Sequence, residues 1–180
     1  DKIVGPGHEV VQLAKKEVCG LVDMDSFAGP SDVLIVANDQ ANPAWVAADM
    51  LSQAEHDPGA GIVVTDSEPF ARAVLAELQK QTPNLARAEA TARCLKAYSG
   101  IVVCESMEAV IEWANEFAAE HLQVQCGPDS RKIAERLTNA GALFIGPFTP
   151  VAVGDYWAGP SHTLPTRQTS KFFSAVTSND

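Results

Sequence analysis

Three small groups of residues in this sequence have types and spacing that could carry chemistry. Gln53 and His56 lie three apart near the end of a predicted helix, so their side chains share a face. An amide oxygen and an imidazole nitrogen on one face can take a divalent cation; the plainer alternative is a solvated glutamine beside a helix-ending histidine that complements the macrodipole. Glu120 and His121 are adjacent at a predicted helix-to-strand junction. They offer two proton acceptors of different basicity, and an unperturbed imidazole titrates at about pH 6.5, which suits a general base. The alternative is a histidine that ends a helix next to a solvated glutamate. Asp155 and His162 fall in the stretch Gly154-Asp-Tyr-Trp-Ala-Gly-Pro-Ser-His-Thr-Leu-Pro-Thr166. Aspartate is a common zinc ligand and Gly154 and Gly159 let backbone approach a ligand, whereas an Asx-turn in a capped loop would use the same residues structurally. Of the four histidines, three sit in such contexts, which makes the set more telling than any member.

Two turns add to this. Ala28-Gly-Pro-Ser31 precedes a buried strand and either presents Ser31 or backbone N–H groups to a substrate or is a simple turn. Gly5-Pro-Gly7 opens a helix, a plausible approach for an anion, but it is not G-x-G-x-x-G, so the dinucleotide fingerprint is absent.

The elements that must hold these residues alternate. A helix is expected over 8–19, with Val10, Val11, Leu13, Ala14 and Val18 largely on one face and Gly20 stopping it. Asp32-Val-Leu-Ile-Val-Ala37 reads as a strand buried on both faces. Asn42-Pro43 starts a helix running to about His56, ended by Asp57-Pro58-Gly59. Further strands are expected over 61–65, 100–104, 121–125 (with alternating character) and 142–146. Helices are expected over 67–81, 84–98, from Ser106 to about Phe117, and from Asp129 to a stop at Gly141. After Pro147 periodicity is lost and the chain reads as an irregular site loop. Strands alternating with helices predict an α/β fold with a mainly parallel sheet.

Composition narrows the function classes. The 180 residues carry 13 Lys+Arg against 23 Asp+Glu, a formal net charge of −10, with no basic stripe, which argues against nucleic acid or an anionic membrane as main partner. No apolar run is long enough to span a bilayer, and no signal peptide is visible. Cys19, Cys94, Cys104 and Cys126 form no CxxC pair and no zinc-finger spacing, so reduced thiols in a cytoplasmic protein are expected.

Taken together, the segments Gly5-Pro-Gly, Ala28-Gly-Pro-Ser-Asp-Val-Leu-Ile-Val-Ala37, Ala47-Ala-Asp-Met-Leu-Ser-Gln-Ala-Glu-His-Asp-Pro58, Ala119-Glu-His-Leu122, Gly154-Asp-Tyr156 and Gly159-Pro-Ser-His-Thr-Leu-Pro-Thr166 closely resemble the histidinol dehydrogenase family. They keep that family's order and nearly its spacing over almost the whole chain. The resemblance implies a zinc- and NAD-dependent enzyme, a cytoplasmic homodimer, that oxidises L-histidinol through L-histidinal to L-histidine. By position, Gln53, His56 and Asp155 match three zinc ligands, and a histidine from the partner subunit's C-terminal region supplies the fourth. His121 matches the base that deprotonates the alcohol, and Glu120 the residue that activates water on the aldehyde. Ser31 and His162 match substrate-contacting positions, alongside Gln53, His56, His121 and Asp155. The implied fold is aldehyde-dehydrogenase-like, with residues 1–29 ending a cofactor-side domain, 30–166 forming a substrate- and zinc-binding α/β domain as an incomplete Rossmann-like half, and 167–180 a truncated tail or linker.

The family is longer at both ends, so the resemblance implies the central catalytic portion of such an enzyme. His8 stands where the family usually has an asparagine that contacts the cofactor. Val151 stands where an acidic residue usually follows Thr-Pro, and Arg167-Gln168 replaces small residues. Two other readings remain open: the same chemistry on another small polar alcohol, and a non-catalytic metal- or ligand-binding relative.

Overall fold

Val33-Leu-Ile-Val-Ala37 has no polar side chain, and all five residues are fully buried. They form most of β3 (Ser31–Ala37), the middle strand of a five-stranded sheet in the computed structural model, which describes residues 1–56 and 58–178. The strands are β4 (Gly59–Thr65), β5 (Gly100–Val103), β6 (His121–Gln125) and β7 (Ala142–Ile145), in the order β5-β4-β3-β6-β7. All four pairings are parallel, as the alternating pattern predicts.

Three of the helices start where their capping residues place them. Asn42 accepts from the Ala44 N–H ahead of α2 (Pro43–Ala54), Ser67 from Phe70 N–H ahead of α3 (Glu68–Gln81), and Ser106 from Ala109 N–H ahead of α5 (Met107–Phe117). Each such cap contributes about 1 kcal/mol. Adjacent residues of β3 point to opposite faces. Val33, Ile35 and Ala37 pack with Val46, Met50, Phe70 and Val74 of α2 and α3. Leu34 and Val36 pack with Leu122, Val124 and α5 residues Val110, Ile111 and Ala114. All four cysteines are free thiols. Among the described residues no helix is long and apolar enough to cross a membrane.

Several boundaries differ from the pattern-based expectation. The helix expected over 84–98 begins later, as α4 (Ala88–Tyr98), after a tight turn at Thr82–Asn84. Leu85 is extended there, which lets its side chain drop onto the α2–α3 core. The helix expected over 129–141 is only α6 (Ser130–Ala134). Asn115 of α5 diverts the chain: it accepts from Thr138 N–H and donates to the Arg136 carbonyl, so those groups need no helical partners. The stretch after Pro147, expected to be irregular, contains α7 (Val151–Tyr156). It is seated by Gly154, where any Cβ would run into the Phe144 ring of β7. β6 keeps its polar–apolar alternation, yet all five of its residues are buried. Of the stop signal after α2, Asp57 lies outside the described residues.

The largest correction is at the amino end. Lys2–Ile3 (β1) and Asp23–Met24 (β2) pair in parallel around α1 (Glu9–Glu17). Its predicted apolar face is the outer one: Val10, Val11 and Leu13 are exposed while Gln12 and Lys15 are buried. The reason is a buried ion pair. Lys15 Nζ lies 2.8 Å from Asp25 Oδ1 and also donates to the Gly5 and Ser26 carbonyls. Asp25 in turn accepts from the Gly5 and Ser26 N–H groups. Removing one partner leaves a buried charge uncompensated, so Lys15→Met is expected to lower unfolding stability by about 3 kcal/mol or more, measured by denaturant titration. A midpoint unchanged by the substitution would show that the pair is not what inverts α1.

Candidate active site

Val33 pairs with His121 in the sheet register, so Asp32 stands opposite Glu120 one rung earlier. Ser31 and Asp32 open β3, and His121 opens β6. A helix that follows a strand runs back along the sheet, so α2 returns Gln53 and His56 to this same amino end. α7 follows β7 and brings Asp155 to it, with Oδ1 4.0 Å from His121 Nε2. Six of the sequence-derived candidates, Ser31, Gln53, His56, Glu120, His121 and Asp155, thus share one end of the sheet. It is the end opposite the carboxyl crevice where open α/β sheets usually bind ligands.

Glu120 and His121 are both buried. His121 Nδ1 lies 3.0 Å from the Asp32 carbonyl oxygen, which can only accept, so Nδ1 carries the proton and Nε2 is the bare nitrogen. Nε2 is buried with no hydrogen-bond partner among the described residues. Burial holds the imidazole's proton affinity below the ordinary histidine value, against the Asp32 hydrogen bond and the Asp155 charge, with the neighbouring His56 adding to the lowering. The ring is therefore neutral at pH 7 and ready to accept a proton. Phe144 packs near it, ring centroids 6.0 Å apart.

Glu120 is tuned the other way. Burial pushes its carboxyl up to about 8; the Ser31 hydroxyl and Asp32 N–H favour the ionised form, and the Asp32 and Asp155 charges oppose it. The Ser31 oxygen accepts from Gln53 Nε2 at 2.8 Å, so Gln53, Ser31 and Glu120 form a short relay. Gln53 commits its NH2 to Ser31, which leaves its amide oxygen as the atom available to a cation. Gln53 oxygen, His56 nitrogen and the Asp155 carboxylate are a donor set that zinc accepts, so the residues present fit that ion. Among the described residues no three His, Cys, Asp or Glu side chains group into a metal site; the set here has two of those types plus an amide.

His162 is exposed and lines, with Asp155 and Phe144, a cavity of about 370 Å³ beside the pair. His8 stands exposed immediately ahead of α1. A second cavity, about 580 Å³, lies between α3, α4 and β5 and is lined by none of these residues. Sequence reading did not single out Asp32, which touches both members of the pair. Only the register of two strands 88 residues apart reveals it.

Two glycines set the close packing behind the site. A Cβ at Gly59 would run into the Gln53 carbonyl oxygen, and one at Gly141 would lie 2.6 Å from the Glu120 carbonyl oxygen. Gly59 is further tied to α4, donating to Cys94 Sγ and accepting from it. Gly59→Ala is expected to cost about 1–3 kcal/mol through overpacking and to displace the end of α2 that carries Gln53 and His56. Thermal unfolding together with zinc calorimetry would check this; full zinc affinity in the variant would contradict it.

Compared with known proteins, the chain matches the family model described as histidinol dehydrogenase over residues 1–180. It is 49% identical over 177 residues to histidinol dehydrogenase from Heliobacterium mobile, covering 98% of this chain and 41% of that protein. It is 47% identical to the Aquifex aeolicus histidinol dehydrogenase, again covering 98% and 41%. The chain spans about two fifths of the length of these curated relatives. The crystal structure of histidinol dehydrogenase from Elizabethkingia anophelis superposes with a TM-score of 0.89 at 37% identity, over 98% of this chain and 41% of that one. An acetylating aldehyde dehydrogenase from Geobacillus thermoglucosidasius, 14% identical, superposes at a TM-score of 0.61 over 99% of this chain and 53% of its own, a likeness of fold.

Proposed function

The chain belongs to the histidinol dehydrogenase family, and we propose that it carries the acid–base and metal-binding centre of an enzyme that oxidises L-histidinol, through L-histidinal, to L-histidine in two NAD-linked steps. The observation that carries this reading is the buried Nε2 of His121, unpartnered among the described residues. His121 donates its Nδ1–H to the Asp32 carbonyl and turns a bare, buried Nε2 toward Asp155, beside the Glu120 carboxyl.

In the first step His121 Nε2 takes the proton of the substrate hydroxyl as the carbinol carbon is oxidised; NAD, when bound, would supply the acceptor for the hydride lost in each of the two oxidations. The Nδ1–H bond to the Asp32 carbonyl steadies the cation that forms on the ring. In the second step the ionised Glu120 carboxylate takes a proton from water adding to the aldehyde; burial pushes that carboxyl up to about 8, so this role is filled as pH rises toward that value. Ser31 holds one side of that carboxyl and Gln53 holds Ser31, so the acid's orientation is set before substrate arrives. Gln53, His56 and Asp155 would hold zinc, which when bound supplies a Lewis acid that orients the substrate's amine and imidazole. His162, on the cavity wall, would contact the substrate's far side, and His8 would serve the cofactor. The proposal extends to a cytoplasmic homodimer in which the partner subunit completes the zinc site, with residues 30–166 as the substrate- and zinc-binding domain between a cofactor-side segment (1–29) and a tail (167–180).

The test uses the full-length protein, stripped of metal and reloaded with zinc, incubated with NAD and L-histidinol. NADH and L-histidine should both form. NADH from another small polar alcohol but not from histidinol would overturn the substrate assignment; no NADH from any alcohol would overturn the activity.

A further inference from the structure

Asp32 makes three contacts to the acid–base pair from one position. Its backbone N–H donates to Glu120 Oε2 at 3.1 Å. Its carboxylate Oδ1 accepts from the Glu120 N–H at 2.8 Å. Its carbonyl oxygen accepts from His121 Nδ1 at 3.0 Å. The first two are reciprocal, each residue's main chain bonded to the other's side chain. The β3–β6 ladder begins at Val33 and His121, so the rung below it, Asp32 against Glu120, is closed by side chains instead of by peptide groups. That clasp does two things at once. It aims the Glu120 carboxyl, and it keeps the Asp32 carbonyl facing the His121 ring.

From this geometry we propose that Asp32 is a positioning residue of the active site, whose carboxylate clasps Glu120 and thereby keeps the His121 proton on Nδ1 and the reacting Nε2 bare. Its side chain does not reach the reacting atoms; it acts through the two residues that do. A solvated surface aspartate would not serve, because water would compete for Oδ1. Asp32 is instead half-buried with Oδ1 held by the Glu120 N–H, and burial pushes its carboxyl up to about 6, so a neutral amide of the same shape suits the position. This inference rests on the role given to His121 in the proposed function, but the placement of the ring proton does not depend on the substrate's identity.

The experiment uses the zinc-loaded full-length protein and three forms of it: wild type, Asp32→Asn and Asp32→Ala. Nitrogen-15 NMR of the histidine rings reads the tautomer of His121, and steady-state kinetics read kcat and KM. In the wild type the His121 proton should sit on Nδ1. Asp32→Asn, whose amide oxygen still accepts from Glu120 N–H, should keep that tautomer and stay within about 3-fold of wild-type kcat. Asp32→Ala should give a mixture of tautomers and lower kcat by about 10- to 100-fold with KM changed far less, the usual cost of losing a group that orients a reacting one. A wild-type His121 protonated on Nε2 overturns the proposal without any variant. So does an Asp32→Ala protein that keeps both the tautomer and kcat, or one whose only change is a lower unfolding temperature. A protein that shows the Nδ1 tautomer, and its loss in Asp32→Ala, but oxidises no histidinol would support the role of Asp32 and overturn the function instead.

Discussion

His121→Asn in the zinc-loaded full-length protein is expected to lower kcat for histidinol oxidation by about 10²- to 10⁴-fold, with a much smaller change in KM. Asparagine can still donate to the Asp32 carbonyl, so the local hydrogen bond survives while the proton acceptor is lost. The size of the effect follows from the environment of the ring. Burial holds the imidazole's proton affinity below the ordinary histidine value, so in the native protein the neutral base is present at pH 7. With asparagine in place, hydroxide from solvent must take the hydroxyl proton, and the residual rate should climb steadily with pH. A loss of less than about ten-fold would remove His121 from the general-base role that such groups ordinarily fill. A rise in KM at constant kcat would assign it to binding instead.

The second large effect is on stability against pH. In the metal-free chain, burial lifts the Glu120 carboxyl from 4.5 to about 8, and it lifts Asp32 and Asp49 from 3.8 to about 6. A raised folded pKa means that the folded state binds the proton more tightly than the unfolded chain. The stabilisation from protonation is therefore complete below the unfolded pKa, and it is lost as pH rises through the folded value. Unfolding free energy should fall between about pH 5 and about pH 9 by roughly 3–5 kcal/mol from Glu120 alone, since each tenfold difference in proton affinity between the folded and unfolded states is worth about 1.4 kcal/mol. Glu120→Gln removes that titration and should leave a much flatter profile, with the variant more stable than the parent at the alkaline end. Denaturant titrations of metal-free protein across this range decide it. Equal slopes in parent and variant would show that Glu120 does not carry a strongly raised pKa. The same raised proton affinity bears on catalysis: without a cation nearby, Glu120 becomes a proton acceptor only near and above pH 8.

Much of the molecule can be read directly from the chain. The strand Val33–Ala37 follows from an unbroken apolar run, and the starts of α2, α3 and α5 follow from Asn42, Ser67 and Ser106, because caps and periodicity are local properties that need no distant partner. The pairing of Gln53 with His56 and the adjacency of Glu120 to His121 are likewise visible in spacing alone. What spacing could not supply was anything set by groups far apart in sequence. Asn115 shortened α6 by taking over its backbone partners, Phe144 seated a helix in a stretch without periodicity, and Asp25 drew Lys15 inward and turned the apolar side of α1 to the outside. The site shows the same division. Residue types announced that acid–base chemistry was available, but the proton's place on the His121 ring depends on a carbonyl oxygen 89 residues away, brought to it by the pairing of β3 with β6. Local sequence encodes conformational preference. The protonation state of a buried group is settled by the solvent it has lost and the partners that replace it, and those exist only once the sheet has formed.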